Sequence, residues 1–171
     1  MKFKLRPYQE EASKKAVEFF LDEKKNWNAL EVLPTASGKS LILADIAARL
    51  KDKVLVFSPT KEILEQNYKK YCSYGFDNAS IYSASFKSKE ISDVTFATIG
   101  SVKGHPELFT DFKYILIDEV HLVKPESGMY KEFLDKLKSK VIGLTATPFR
   151  LYSYQNYGSI LKFLTRSRDK I

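Results

Sequence analysis

The stretch ALEVLPTASGKSLILADIAARL, residues 29–50, decides how the rest of the chain is read. Residues 29–33 form a short apolar run that Pro34 ends, the pattern of a buried strand. Residues 34–38 make a loop. From Lys39 to about Lys51 the apolar positions Leu43, Ile46, Ala47 and Leu50 return at three- and four-residue spacing, which predicts a helix. At the junction, Gly38-Lys39-Ser40 fills the second half of the phosphate-loop pattern G-x-x-x-x-G-K-[ST], while Leu33 stands in the first glycine position. A strand that turns into a helix through such a loop aims free N–H groups and the positive end of the helix dipole at one point, which suits a polyphosphate. Lys39 would then neutralise the β- and γ-phosphates and the Ser40 hydroxyl would ligate Mg²⁺. The three residues alone also fit a helix N-terminus with an incidental lysine.

Strand-loop-helix units recur on either side. Residues from Pro7 to about Lys25 predict an amphipathic helix, with Tyr8, Ala12, Ala16 and Phe19/Phe20 on one face and Pro7 at its entrance. KVLVFS (53–58) is a buried strand, followed by a helix that opens on Thr60, a good N-cap with Glu62 close behind. ASIYSA (79–84) and VTFATI (94–99) are further strands, separated by the polar stretch 85–93. YILIDE (114–119) runs straight into acids, and KVIGLT (140–145) follows a helix near 129–138. Val- and Ile-rich strands alternating with helices predict an α/β fold whose mainly parallel sheet is covered on both faces.

Two more strand ends carry chemistry. In ILIDEVH (115–121), Asp118 and Glu119 follow a buried strand, and the carboxyl edge of an open α/β sheet is where ligands bind. There Asp118 can hold Mg²⁺ through water and Glu119 can polarise an attacking water; acids also favour that place as helix caps. In GLTATPFR (143–150), Thr145 and Thr147 are small hydroxyl residues able to bond the acids and to respond to the γ-phosphate.

The totals set bounds. A chain of 171 residues, 44% hydrophobic and 29% charged, is about one globular domain. The apolar runs fall far short of a membrane span, and MKFKLRPYQEE turns polar too soon for a signal peptide. Cys72 is the single cysteine, which excludes a disulfide framework, and His105 and His121 do not suggest a zinc site. A cytoplasmic location is expected. The net charge of +7 favours a polyanionic partner such as nucleic acid, and it equally fits a lysine-rich surface that aids solubility.

Taken in order, LRPYQ (5–9), PTASGKS (34–40), SPTKEILEQ (58–66), ATIGS (97–101), DEVH (118–121) and TATPFR (145–150) resemble the first motor domain of superfamily 2 helicases. The likeness is greatest to the branch holding RadD-type repair helicases and restriction-enzyme motor subunits. It implies a three-layer α/β/α RecA-like P-loop NTPase domain over residues 1–150, with 151–171 as a linker or extension toward a second RecA-like domain. It further implies that Gln9 reads the adenine edge with Arg6 and Tyr8 beside it. Pro34, Thr35, Ala36, Ser37, Gly38, Lys39 and Ser40 would form the phosphate loop. Asp118 would hold magnesium, with Ser40, and Glu119 would be the catalytic base. His121, Thr145 and Thr147 would couple hydrolysis to movement, while Pro59, Thr60, Lys61, Thr98, Gly100 and Ser101 would grip a nucleic-acid backbone, with DNA favoured over RNA. ATP and Mg²⁺ are the expected cofactors. Leu33 and Ala36 depart from the residues many relatives carry. Turnover in such motors needs an arginine from a second domain, which some twenty residues after TATPFR cannot hold. The alternatives are the motor subunit of a restriction endonuclease and a nucleotide-dependent nucleic-acid binding module without turnover.

Overall fold

The computed structural model describes residues 4–123 and 128–146. Thr147, Arg150 and the segment 151–171 lie outside them. Five helices and seven strands alternate in the order α1 (Pro7–Leu21), β1 (Ala29–Val32), α2 (Lys39–Leu50), β2 (Val54–Phe57), α3 (Lys61–Cys72), β3 (Ala79–Ser83), β4 (Ser88–Lys89), β5 (Val94–Ala97), α4 (Ile99–Val102), β6 (Tyr114–Asp118), α5 (Met129–Leu134) and β7 (Lys140–Thr145). The strands form one sheet in the spatial order β1-β7-β6-β2-β5-β3-β4. Every pairing is parallel except β3 with β4.

Side-chain alternation along the strands divides the core in two. On β2, Val54 and Val56 face one side, while Leu55 and Phe57 face the other. The first face packs Leu116, Phe96 and Ile142 against α1, α2 and α3 through Phe19, Phe20, Ile42, Ile46, Leu64 and Tyr71. The second packs Ile115, Ile117 and Val141 against Val102 of α4, Phe133 of α5 and the 3-10 turn Pro106–Phe109. Both faces are therefore dry, as a parallel sheet with crossover helices requires.

The predicted elements appear, with local differences at their ends. Helix α1 stops at Leu21, short of Lys25, because the Lys140 amine on β7 donates to the carbonyls of Phe19 (2.5 Å) and Asp22 (3.0 Å). A cation there takes up carbonyls that the last turn leaves without partners. The polar stretch 85–93 holds a 3-10 turn at Ala84–Phe86 and the two-residue antiparallel strand β4, which shields part of the β3 edge. Helix α1 is fixed to α2 by the Ser13 hydroxyl, which donates to Asp45 Oδ2 at 2.5 Å. Arg49 Nε donates to the same oxygen at 2.6 Å.

Glu31 on β1 is an acid inside this core. It lies on the sheet face of Ala29 and Leu33, 2% exposed, and its Oε2 has no hydrogen-bond partner. Burial pushes its carboxyl up to about 8, against a smaller opposing pull from Lys15. The folded chain thus keeps a proton that the unfolded chain loses near the ordinary Glu value of about 4.3. Stability from this group is present at low pH and is lost as pH rises toward about 8. Denaturant titrations between pH 5 and 8 should therefore show Glu31→Gln gaining on the wild type by up to about 1.4 kcal/mol per pH unit. A pH-independent difference between the two would refute the buried-proton account.

Candidate nucleotide site

The loop after β1 keeps a bond to the sheet at its start and turns late. Leu33 follows the last residue of β1: it is buried in the first core, and its N–H donates to Thr145 O at 2.9 Å. A glycine is thus not required at that position. The reversal falls instead on Ala36 (φ 61°) and Gly38 (φ 77°), both left-handed, after which α2 opens on Lys39. At Gly38 only a hydrogen fits. A β-carbon there would lie 2.6 Å from Gln9 Nε2.

Gln9 explains that closeness. It is buried at the start of α1, where its Oε1 accepts from Arg6 N (2.8 Å) and its Nε2 donates to Ser37 O (2.8 Å). The Tyr8 hydroxyl donates to the same carbonyl at 3.1 Å. Two side chains of α1 therefore clamp the loop at Ser37, while Arg6, the N-cap residue, is exposed.

The acids come from β6. Register pairs Asp118 with Leu144 and Val32 with Thr145, so β1, β7 and β6 end level. Asp118 is 4% exposed. Its Oδ1 accepts from Glu119 N (2.9 Å) and its Oδ2 from Asn67 Nδ2 (3.0 Å). Burial holds its carboxyl above the usual aspartate range, partly offset by the bond from Asn67. Glu119 then adopts φ 51°, ψ 47°, a left-handed residue of the kind concentrated at functional sites. This turn sends Val120 into the core against Gly143, where a β-carbon would meet three Val120 atoms at 2.7–2.8 Å. Glu119 is left pointing out of the sheet edge.

Charge links the three strand ends. Lys39 Nζ lies 2.6 Å from Glu119 Oε1, and His121 Nδ1 lies 3.3 Å from Glu119 Oε2. The same His121 nitrogen is 2.8 Å from Thr145 Oγ1. Ala36, Ser37, Gly38, Lys39, Ser40, Asp118 and Glu119 line a cavity of about 470 Å³, which Ile63, Gln66 and Lys70 of α3 close. Pro34 and Thr35 precede it on the exposed part of the loop. Thr147 lies outside the described residues.

The segments expected to grip nucleic acid stand beside this cavity. They follow the neighbouring strands β2 and β5, which Ser58 N joins by donating to Ala97 O at 3.1 Å. Thr60 caps α3 by accepting from Ile63 N at 3.3 Å. Pro59 is half-buried, and the exposed Lys61 places its amine 5.1 Å over the Phe86 ring. Thr98 and Ser101 share a hydroxyl contact of 3.0 Å, Ser101 Oγ accepts from Ala84 N at 3.0 Å, and Gly100 faces open space.

Sequence reasoning missed the α3 residues of the site. Asn67, Gln66 and Lys70 approach it from a helix that the sequence places only by its Thr60 cap and Glu62. One signal was present: Leu64, Asn67 and Tyr71 share a buried stripe, and a polar residue in an apolar stripe asks for a buried partner.

A dry parallel sheet with a phosphate-type loop, paired acids and a threonine at three level strand ends defines a RecA-like motor domain of superfamily 2. Residues 2–150 match the family described as "Type III restriction enzyme, res subunit", and the chain belongs to that family. Among curated proteins it is similar to the "DNA 3'-5' translocase XPB2" of Sulfurisphaera tokodaii, 32% identical over 152 residues. The match covers 87% of this chain and 32% of that protein, so the chain spans about a third of the relative's length. Among solved structures it resembles the UvsW helicase from bacteriophage T4 (TM-score 0.71, 21% identity, 95% of this chain and 58% of that one). It also resembles the Sulfolobus solfataricus SWI2/SNF2 ATPase core in complex with dsDNA (TM-score 0.72, 20% identity, 96% and 36%). These two likenesses establish the fold.

Gly38→Ala tests the loop. The left-handed backbone costs an ordinary residue about 1–2 kcal/mol, and moving Gln9 aside forfeits its bond to Ser37 O at about 1 kcal/mol. The denaturation midpoint should fall accordingly at unchanged m. In a Gln9→Ala background the Gly38→Ala penalty should shrink by about 1 kcal/mol; strict additivity would count against the contact.

Proposed function

We propose that this chain is the ATP-binding motor domain of an ATP-dependent DNA helicase or translocase, which hydrolyses ATP with Mg²⁺ when a second RecA-like domain closes over the site. Residues 1–150 make the domain, and 151–171 lead toward its partner. The observation that carries the reading is the convergence on one cavity of Lys39, from the loop after β1, with Asp118 and Glu119 from the end of β6, where His121 backs Glu119. The family description supports the motor subunit of a restriction endonuclease as a second reading of the same site.

The residues present fit both ligands. Gly38 takes a left-handed φ of 77° just before α2, whose first backbone N–H groups lack helical partners and can approach phosphate. Ser40 and Asp118 are hard oxygen donors, and the Asp118 carboxylate keeps lone pairs beyond its two hydrogen bonds. Among the described residues no group of three or more His, Cys, Asp or Glu could hold a metal. Mg²⁺ needs none, because it takes one or two protein oxygens with phosphate and water. Bound there, it would neutralise charge on the phosphate oxygens.

Each residue has a distinct part. Lys39 supplies positive charge to the terminal phosphates, and Glu119 orients the attacking water. His121 joins Glu119 to Thr145, so a change at the acid is felt at the end of β7. Gln9, already fixed between Arg6 and Ser37, presents its remaining amide valences to adenine. Pro59, Thr60 and Lys61, with Thr98, Gly100 and Ser101, hold the backbone of a strand. The relative named a DNA translocase, and the dsDNA in one solved neighbour, support DNA as that strand. No helix among the described residues is long and apolar enough to cross a membrane.

ATP or ADP with Mg²⁺ should raise the melting temperature, and Lys39→Ala should remove most of the rise. An equal rise in the variant would overturn the phosphate-loop assignment. Nucleic-acid affinity should be weak, indifferent to sequence, and should fall steeply with salt. The 171-residue chain alone should hydrolyse ATP slowly, since an arginine from across the cleft contributes about 10³–10⁵ in rate. Joined to a second RecA-like domain, it should show nucleic-acid-stimulated turnover that Glu119→Gln abolishes while nucleotide binding survives. Brisk turnover by the chain alone would show that the arginine is already present.

A further inference from the structure

Asn67 sits where stability alone would place an apolar side chain. It is 1% exposed on the buried stripe of α3, between Leu64 and Tyr71, and its Oδ1 has no hydrogen-bond partner. A buried polar atom without a partner is a cost to stability, which leucine at the same position would avoid. What the amide gains lies on its other side. Nδ2 spends its two hydrogens on Ser58 Oγ (3.1 Å) and Asp118 Oδ2 (3.0 Å). Charge fixes this orientation, because the reversed amide would turn its oxygen toward a carboxylate. Ser58, itself buried, follows β2, the strand next to β6.

Asp118 is thereby held at both oxygens by donors on different elements. Glu119 N grips Oδ1 from the turn after β6, and Asn67 grips Oδ2 from α3. Two such bonds fix the plane of a carboxylate and leave its remaining lone pairs with a set direction. Lys39 and Ser40, at the start of α2, line the same cavity, and the Lys39 amine pairs with Glu119 instead.

We propose that Asn67 is a positioning residue for Asp118, which sets the affinity of the cavity for Mg²⁺ in the presence of nucleotide. The role rests on the assignment of Asp118 to the metal under the proposed function.

The test titrates the full chain with MgCl₂ at fixed ADP, reading nucleotide-dependent thermal stabilisation, beside ADP binding measured in EDTA. Asn67→Leu should raise the Mg²⁺ midpoint by about 10-fold or more, the range for partners that orient a metal ligand, and leave ADP affinity in EDTA unchanged. Ser58→Ala, which frees one end of the amide, should shift the midpoint the same way by less. An unchanged midpoint in folded Asn67→Leu, or equal losses with and without Mg²⁺, would mark a structural role and overturn the proposal. Should Asn67→Leu lack a cooperative melt, Ser58→Ala decides alone, and an unchanged midpoint in it overturns the proposal. Asp118→Asn separates the two levels. If it leaves the Mg²⁺ midpoint at the wild-type value, the metal assignment falls and this proposal with it. If it shifts the midpoint while folded Asn67→Leu does not, only the role of Asn67 falls.

Discussion

Parallel strands cannot be joined by tight turns, so each must be followed by a crossover that returns the chain to the opposite edge. In this molecule that constraint governs both packing and chemistry. Among the described residues six strands run the same way, so six strand ends reach one edge and release their loops side by side. The Gly38 loop, the Glu119 turn and Thr145 are neighbours because β1, β7 and β6 are, although more than a hundred residues separate the first from the last. The same crossovers cover both sheet faces, and the carboxylates at this edge therefore border a dry interior.

That border gives the site its electrostatic character. Asp118 is buried and donated to from two sides, whereas Glu119, one residue later, is half-exposed between a lysine and a histidine. Two adjacent acids are thus differentiated by a single left-handed residue that turns one inward and the other outward. Helix α3 joins this site to its surroundings. It opens at Thr60, in the segment proposed to hold a nucleic-acid strand, and two turns later carries Asn67 onto Asp118.

Most of the fold was legible because the strands are buried on both faces and bounded by turn residues; KVIGLT coincides with β7 to the residue. The places of the Gly38 loop and of the acid pair were legible for the same reason, since both follow apolar runs that form β1 and β6. What the sequence hid depends on contacts between distant segments. The end of α1 is set by Lys140, more than a hundred residues away. Strand β4 is two residues long and exists only against β3. Leu33 departs from a glycine pattern because its N–H is spent on Thr145 O and its side chain on the core. Asn67 left only the faint mark of a polar residue on an apolar stripe.

The packing of Val120 on Gly143 carries a consequence for how this protein tolerates change. Gly143 touches no ligand and lies mid-strand in β7, where its neighbours Ile142 and Leu144 are ordinary core residues. Yet the space it vacates is what lets the chain dive after Glu119. Any side chain there would push on Val120 and, through it, on the turn that aims the acid. A survey of substitutions would thus register a sensitive position where no functional group is lost, two strand residues before Thr145. The emptiness at Gly143 is as much a part of the acid's address as the residues beside it.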